Sequence, residues 1–250
     1  MIRVDERKSR FGAITIFKTK KTGSFIYAQG DSFQSEADAN GISLVAYIHA
    51  MFSLLRQAGS RNVLMIGCGG GTLATMLSSV GCKLTVVDID PHAFLLARRY
   101  FRFPPDVACR VADGCEFLLS ETGTFDAIVL DAFMEGNIPA HLKSAAFFSL
   151  VRKRVSPSGC VVVNVHVEND LDAAADRMAS EMAKVWPDVR ILDRVGQTNR
   201  NAILMAGGVR DLQKPTLLMR PAMDAGEIVA ELEAMAFRSS PARARQPATD

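Results

Sequence analysis

Between Val63 and Leu77 the chain reads VLMIGCGGGTLATML, an apolar run that stops at glycine and resumes at helical spacing. No other stretch constrains the fold as strongly. Consecutive apolar side chains before Gly67 need cover on both faces, the pattern of an interior strand in a mostly parallel sheet. Glycines let the backbone turn tightly and approach a ligand, and a helix starting near Thr72 adds free N–H groups and a partial positive charge at the same spot. Gly67, Gly69 and Gly71 form a GxGxG spacing, whereas a dinucleotide fingerprint continues as GxGxxG or GxGxxA and the last position here is Thr72. The departure favours a nucleoside ligand without a pyrophosphate.

From about residue 61 to 208 strand and helix patterns alternate, as they do in a sheet covered by helices on both faces. The expected strands are NVLMIG, KLTVVD, ACRVAD, DAIVLD, GCVVVNVHV, VRILD and AILMA. RVGQTNRN, between the last two, is too short for a crossover helix, so those strands should pair as an antiparallel edge hairpin. Successive strands end in groups suited to a ligand. Asp88, in VVDIDP, follows Gly67 by about twenty residues, where this kind of fold sets an acid against ribose hydroxyls. Asp113, in VADG, is placed to receive the exocyclic amine of adenine or to cap the helix CEFLL. Asp131 closes DAIVLD and runs into AFMEGNIP, which begins no clean helix, so a chemical role is favoured over capping. Asp90 before Pro91 reads as an N-cap with proline at the first helical position.

Three regions follow. Residues 1–40 read as a small β-sheet region, with GAITIFK, SFIYAQG and DSFQSEAD as strands around a TKKTG turn. Residues 41–238 form the nucleoside-binding domain, opened by the helix GISLVAYIHAMFSLLRQAG and closed by the helix DAGEIVAELEAMAF; PAHLKSAAFFSLVRKRV reads as one helix within it. Residues 239–250 read as a disordered tail. The basic ends RVDERKSR and RARAR read as solvated. A net charge of +2 gives no reason to expect nucleic acid or an anionic membrane as partner. The N-terminus has no apolar stretch behind its charges, and CVVVNVHV is far short of the roughly 20 residues of a membrane span. Cys68, Cys82, Cys109, Cys115 and Cys160 show no CxxC pair and read as free thiols of a reducing cytoplasm. No set of His, Cys and acid residues has metal spacing, so no metal is expected.

With VLMIGCGGG, VVDIDP, VADG and FDAIVLDAF in place, the chain resembles the S-adenosylmethionine-dependent methyltransferase fold and, within it, the spermidine synthase (polyamine aminopropyltransferase) family, over about residues 11 to 208. The resemblance implies a Rossmann-like class I methyltransferase fold: a mostly parallel seven-stranded sheet with an antiparallel edge hairpin, preceded by a small N-terminal antiparallel β-sheet. It implies decarboxylated S-adenosylmethionine or S-adenosylmethionine as donor. Gln34, Gly67, Gly69, Gly71, Asp88 and Asp113 then bind the nucleoside, and Asp131 falls on the family's catalytic aspartate. Two departures stand out. The family follows that aspartate with Ser-Ser-Asp-Pro, and this chain has DAFMEG; the family's Tyr-His/Gln-Glu cluster falls on Leu44, Val45 and Ala46, with Tyr47 and His49 nearby but out of register.

Both candidate reactions are displacements at a carbon beside a sulfonium, so the protein's part is to supply position and a base. The leading expectation is aminopropyl transfer to a small-molecule amine, with Asp131 binding the ammonium and taking its proton. Methyl transfer to a small molecule is the alternative; a nucleoside-binding protein without catalysis and a dehydrogenase, the latter disfavoured by Thr72, rank below. Further acids for a cationic acceptor are Glu36, Asp38, Glu135, Glu168 and Asp170. His166 reads as a core or edge histidine, Arg200 as an exposed hairpin arginine, and His92 and His141 carry no assigned role. An exposed edge of the N-terminal sheet could pair in a homodimer.

Overall fold

The computed structural model describes residues 1–30, 32–134 and 136–238, so the expected tail at 239–250 and Glu135 lie outside the described residues. The chain begins with strands β1 (Ile2–Ser9), β2 (Gly12–Lys18), β3 (Phe25–Gln29) and β4 (Ser32–Ala37). It continues through α1 (Ala46–Gln57), β5 (Asn62–Ile66), α2 (Thr72–Ser79), β6 (Lys83–Asp88), α3 (Pro91–Tyr100), β7 (Ala108–Val111), α4 (Gly114–Ser120) and β8 (Phe125–Leu130). After a short 3-10 turn at Ala140–Lys143 come α5 (Ala145–Arg154), β9 (Val155–Val167), α6 (Ala174–Ala183), β10 (Val189–Asp193), β11 (Arg200–Gly207), α7 (Ala225–Ala234) and β12 (Ala236–Arg238).

The first four strands form an antiparallel sheet in chain order, and the rest form an eight-stranded sheet in the order β12-β10-β11-β9-β8-β5-β6-β7. β5 pairs in parallel with both β6 and β8, so the chain winds outward from β5 in both directions and leaves a crevice where the winding reverses. β10 and β11 form the expected antiparallel hairpin. Period-two alternation along β5 explains the layering. Val63 and Met65 join the cluster containing α1, α2 and α7, while Leu64 and Ile66 join the one containing α5 and α6. A third cluster packs Ile14, Ile16 and Tyr27 of the small sheet onto Leu96 and Phe101 at α3. Among the described residues no helix is long and apolar enough to cross a membrane.

Three local expectations are corrected. The basic N-terminal RVDERKSR is a strand: it pairs along β2 from Ile2 opposite Lys18 to Ser9 opposite Gly12. Its charges are used, since the Asp5 carboxylate accepts from the Tyr100 hydroxyl at 2.9 Å and pairs with Arg99 at 3.3 Å. The single helix expected over PAHLKSAAFFSLVRKRV is broken at Ser144, whose Oγ accepts from the Phe147 N–H at 3.2 Å and caps α5 afresh. The last helix stops at Ala234, and Ala236–Arg238 pairs with β10, making an eighth strand. There the Arg190 guanidinium lies 3.6 Å from the Phe237 ring centroid, and Arg238 bridges Asp176 at 2.7 Å and Asp193 at 2.9 Å.

Two glycines hold the β5–α2 turn. Gly67 has φ +99, and a Cβ there would lie 2.1 Å from the Asp131 carbonyl oxygen; Gly71 has φ +70, and its Cβ would lie 2.2 Å from the Phe103 ring. Gly71→Ala combines left-handed strain with overpacking and should destabilise the fold by roughly 2–4 kcal/mol. Urea unfolding checks this; a loss below about 1 kcal/mol would show that Phe103 yields freely.

Candidate active site

The carboxyl ends of β5, β6 and β8 are tied to one another through their backbones. The Gly67 N–H donates to the Val87 carbonyl at 2.8 Å and the Asp131 N–H to the Ile66 carbonyl at 2.9 Å. The Gly70 N–H donates to Ser35 Oγ at 3.1 Å, which fastens the glycine turn to β4 of the small sheet. A cleft of about 700 Å³ lies over this junction, lined by Gly67, Gly69, Asp88, Asp113 and Asp131 from the large sheet and by Phe11, Tyr27, Gln29 and Gln34 from the small one. A second, larger cleft of about 1580 Å³ is lined by Glu36, Tyr47, Asn164, His166, Glu168, Asn199 and Asn201. The two share Gln34, Cys68, Gly69, Asp131 and Phe133.

Asp88 sits at the end of β6 with its carboxylate held in place by two backbone donors, Cys68 N–H and Asp90 N–H, each at 2.8 Å. Burial pushes its carboxyl up to about 6 against the pull of those N–H bonds. Each carboxylate oxygen has a lone pair left for a hydroxyl. Asp113 takes the capping role open to it from the sequence and also lines the cleft. Oδ1 caps α4 by accepting from Cys115 N–H at 2.8 Å and Glu116 N–H at 3.3 Å, while Oδ2 contacts His141 Nε2 at 2.7 Å. Burial opposes ionisation there, but His141 and the two N–H groups hold the carboxyl below its ordinary value. Asp90 is the expected N-cap, accepting from His92 N–H at 2.9 Å. Gln34 donates to Gln29 Oε1 at 3.1 Å and reaches both clefts. Gly71 stands apart: it is the N-cap of α2, covered by Phe103, and does not line either cleft.

Asp131 follows β8 directly and stands where the clefts meet. Asn164 Nδ2 donates to its Oδ1 at 2.8 Å, the Tyr47 hydroxyl lies 3.5 Å from its Oδ2, and Asn201 Nδ2 donates to Asn164 Oδ1 at 2.9 Å. The last bond orients the Asn164 amide, so its NH₂ end faces the carboxylate. Desolvation pushes the Asp131 carboxyl up to about 6, with the Asn164 and Tyr47 bonds pulling the other way. An acid in that state changes charge near neutrality, as a base in proton transfer must.

Tyr47, Asn164 and Asn201 were missing from the sequence-derived site. Tyr47 lies out of register with the family's cluster, and its hydroxyl reaches both Asp131 and the Gln34 carbonyl, the latter at 3.3 Å. The signal for Asn164 was available: a lone amide inside the apolar run VVVNVHV, fully buried in β9. Of the other nominated acids, Glu36 lines the second cleft but already accepts from Ser24 Oγ at 2.6 Å, and Glu168 is exposed at its rim together with His166. Asp38 is buried and spent on the Asn40, Ile42 and Ala222 N–H groups. Asp170 accepts from Gly196 N–H and pairs with Arg200. Arg200 is not the exposed hairpin residue expected: it is 7% exposed and clamps Asp193 at 2.7 Å. His49 is buried, its Nε2 on the Ser43 carbonyl at 2.8 Å.

Residues 63–159 match the model of a methyltransferase domain family. The chain is 29% identical over 165 residues to a probable polyamine aminopropyl transferase of Bifidobacterium longum, an alignment covering 64% of this chain and 37% of that protein. It is 28% identical over 174 residues to a polyamine aminopropyltransferase of Vibrio vulnificus, covering 64% of this chain and 58% of that one. The chain thus spans less than two thirds of the length of either relative. Among solved structures, a probable spermidine synthase from Corynebacterium glutamicum superposes with a TM-score of 0.75 at 20% identity, over 95% of this chain and 91% of the other. The fold is therefore that of class I methyltransferases and spermidine synthases, with a small antiparallel sheet at the N-terminus.

Asn164→Leu removes a donor to Asp131 Oδ1 while keeping the branched shape of the side chain, so the Asp131 carboxyl should titrate above the value of about 6 to which burial pushes it. Carboxyl NMR across the titration checks the sign; an unchanged or lowered midpoint would show that the amide does not stabilise the ionised form.

Proposed function

We propose that the protein is a transferase that uses an S-adenosylmethionine-type donor and moves the aminopropyl group of decarboxylated S-adenosylmethionine to a small amine. The observation that carries this reading is the position of Asp131 at the junction of the two clefts, with a carboxyl poised near neutrality. The glycine-turn cleft would hold the donor. Asp88 would accept the ribose hydroxyls, Asp113 the adenine amine, and Gln34 would contact the nucleoside from above, with Gly67 and Gly69 giving the backbone access. Gly71 would act on this ligand by shaping the start of α2.

The chemistry asks little more of the chain. A protonated amine entering through the second cleft has no lone pair; Asp131 binds it and accepts its proton. The freed nitrogen pair attacks the carbon beside the sulfonium. The C–S bond breaks with its electrons going to sulfur, which leaves as a neutral thioether. Asn164 and Tyr47 would keep Asp131 ionised and aimed. Below a pH of about 6 the carboxylate takes its proton before substrate arrives, so the rate should fall on the acid side of that value. The similarity to polyamine aminopropyltransferases over much of the chain supports the same reading.

Methyl transfer to a small molecule is the second reading, and one feature favours it. Among the described residues the second cleft has only Glu36 and Glu168 as acids beside Asp131, and Glu36 is already engaged. A polycation would draw on more. Calorimetric titration with S-adenosylmethionine and its decarboxylated form separates the readings, since the ligands differ by one carboxylate. Tighter binding of the decarboxylated form is the expected result, and preference for the intact form would replace aminopropyl by methyl transfer.

Two substitutions test the residues. Asp131→Asn should abolish turnover and leave nucleoside affinity within about twofold. Asp88→Ala should weaken that affinity by about 1–3 kcal/mol, roughly 5- to 150-fold. Undiminished turnover in the first, or an unchanged dissociation constant in the second, would remove that residue from its role.

A further inference from the structure

Outside the chemistry assigned to Asp131, one cluster brings together three kinds of metal donor. A carboxylate oxygen of Asp113, Cys115 Sγ and a ring nitrogen of His141 lie within 4.8 Å of one another, and the contact between Asp113 and His141 runs from Oδ2 to Nε2. Asp113 and Cys115 bracket the first residue of α4, and His141 comes from the 3-10 turn 28 residues further along the chain, so no local spacing announces the set. His141 has half of its side chain exposed, and Asp113 about a fifth, so an ion can reach the cluster from solvent.

We propose that Asp113, Cys115 and His141 form a binding site for a zinc-like divalent ion, and that filling it closes the adenosine end of the donor cleft. The donor set selects the class of ion. Magnesium and calcium take all-oxygen shells, whereas a thiolate, an imidazole and a carboxylate together suit zinc, with a fourth position left for water. The distances adjust in both directions: the thiolate closes in from within 4.8 Å to the roughly 3.6 Å that a zinc–sulfur bond of about 2.3 Å sets, and the oxygen and nitrogen ligands spread. Tetrahedral bonds of about 2.0–2.2 Å put neighbouring nitrogen and oxygen ligands roughly 3.4 Å apart. The His141–Asp113 contact of 2.7 Å must therefore open slightly, on a short turn whose histidine is exposed. His141 would carry its proton on Nδ1 and offer Nε2. Without the ion, burial and the Asp113 charge keep the Cys115 thiol protonated; the ion takes the thiolate, and the proton leaves to solvent.

The consequence for the cleft follows from shared atoms. Asp113 and His141 line the donor cleft, and Cys115 does not. Asp113 Oδ1 is spent on the α4 cap, so Oδ2 is the oxygen with room for an adenine amine, and it is the same oxygen the ion would take. Zinc and the nucleoside would then exclude one another. This second half rests on the donor reading above; the site itself does not.

The test is titration of the reduced, full-length protein with zinc chloride against a chromophoric chelator, followed by S-adenosylmethionine binding with and without zinc. Wild type should bind one zinc, and Cys115→Ser should lose about tenfold or more in zinc affinity while its S-adenosylmethionine affinity stays unchanged. Cys109→Ser, at the other half-buried thiol, should bind zinc like wild type. Cobalt in place of zinc should give a thiolate charge-transfer band in wild type and none in Cys115→Ser. Equal zinc affinity in wild type and Cys115→Ser would overturn the site. Zinc bound with no loss of S-adenosylmethionine affinity would overturn the exclusion. Failure of both S-adenosylmethionine and its decarboxylated form to bind the zinc-free protein would remove the donor reading and the exclusion with it, while the zinc titration still decides the site.

Discussion

The backbone contact between Gly67 and Asp131 is the constraint on which the site depends. β5 and β8 are neighbours in the sheet, and at their carboxyl ends one chain must turn toward α2 while the other continues into the loop that carries Asp131. The Asp131 N–H bonds to the last carbonyl of β5, and its own carbonyl oxygen occupies the space a side chain at Gly67 would need. Only glycine allows both the left-handed turn and this approach. The same contact therefore opens the cleft floor and sets the carboxylate at its edge.

Electrostatics then distinguish three aspartates that follow three successive strands. Asp88 and Asp131 are each pushed up to about 6 by burial, whereas Asp113, nearer solvent and paired with His141, is held low. Their partners differ in kind. Asp88 is braced by backbone N–H groups of the turn it faces, a rigid arrangement suited to a fixed acceptor. Asp131 is braced by side chains, an amide on one oxygen and a phenol near the other. Such neighbours leave a lone pair accessible and place the proton affinity where a small change in environment alters the charge.

The small N-terminal sheet completes the enclosure. Phe11, Tyr27, Gln29 and Gln34 wall the first cleft, and Ser35 holds the Gly70 N–H. The sheet is anchored away from the site by Ile14 and Ile16 against Leu96 and Phe101, and by Asp5 on Tyr100 and Arg99 of α3. Its attachment to α3 and to the glycine turn makes the cover part of the same packed body as the floor, which fixes the distance between Gln34 and the large sheet.

What the sequence determined by itself was most of what short-range pattern sets, the break at Ser144 excepted. The β5–turn–α2 unit, the acid closing each of β6 and β8, the Asp90 cap and the antiparallel pairing of β10 with β11 follow from apolar runs, glycines and loop lengths, because those features act over a few residues and repeat; the edge position itself went to β12. Tertiary structure alone decided what lies beyond that range. Tyr47 meets Asp131 across 84 residues and Asn164 meets it across 33, contacts that depend on how α1 and β9 pack rather than on any local spacing. Charged residues were misread for a related reason. RVDERKSR reads as a solvated end and Arg200 as exposed, yet Asp5 of the first is held by Tyr100 and Arg99 of α3 and Arg200 by Asp193 of β10, while Arg3 and Lys8 stay exposed. A charge buried with its partner looks, in one dimension, like a charge in water, since the partner that offsets desolvation is supplied by the fold.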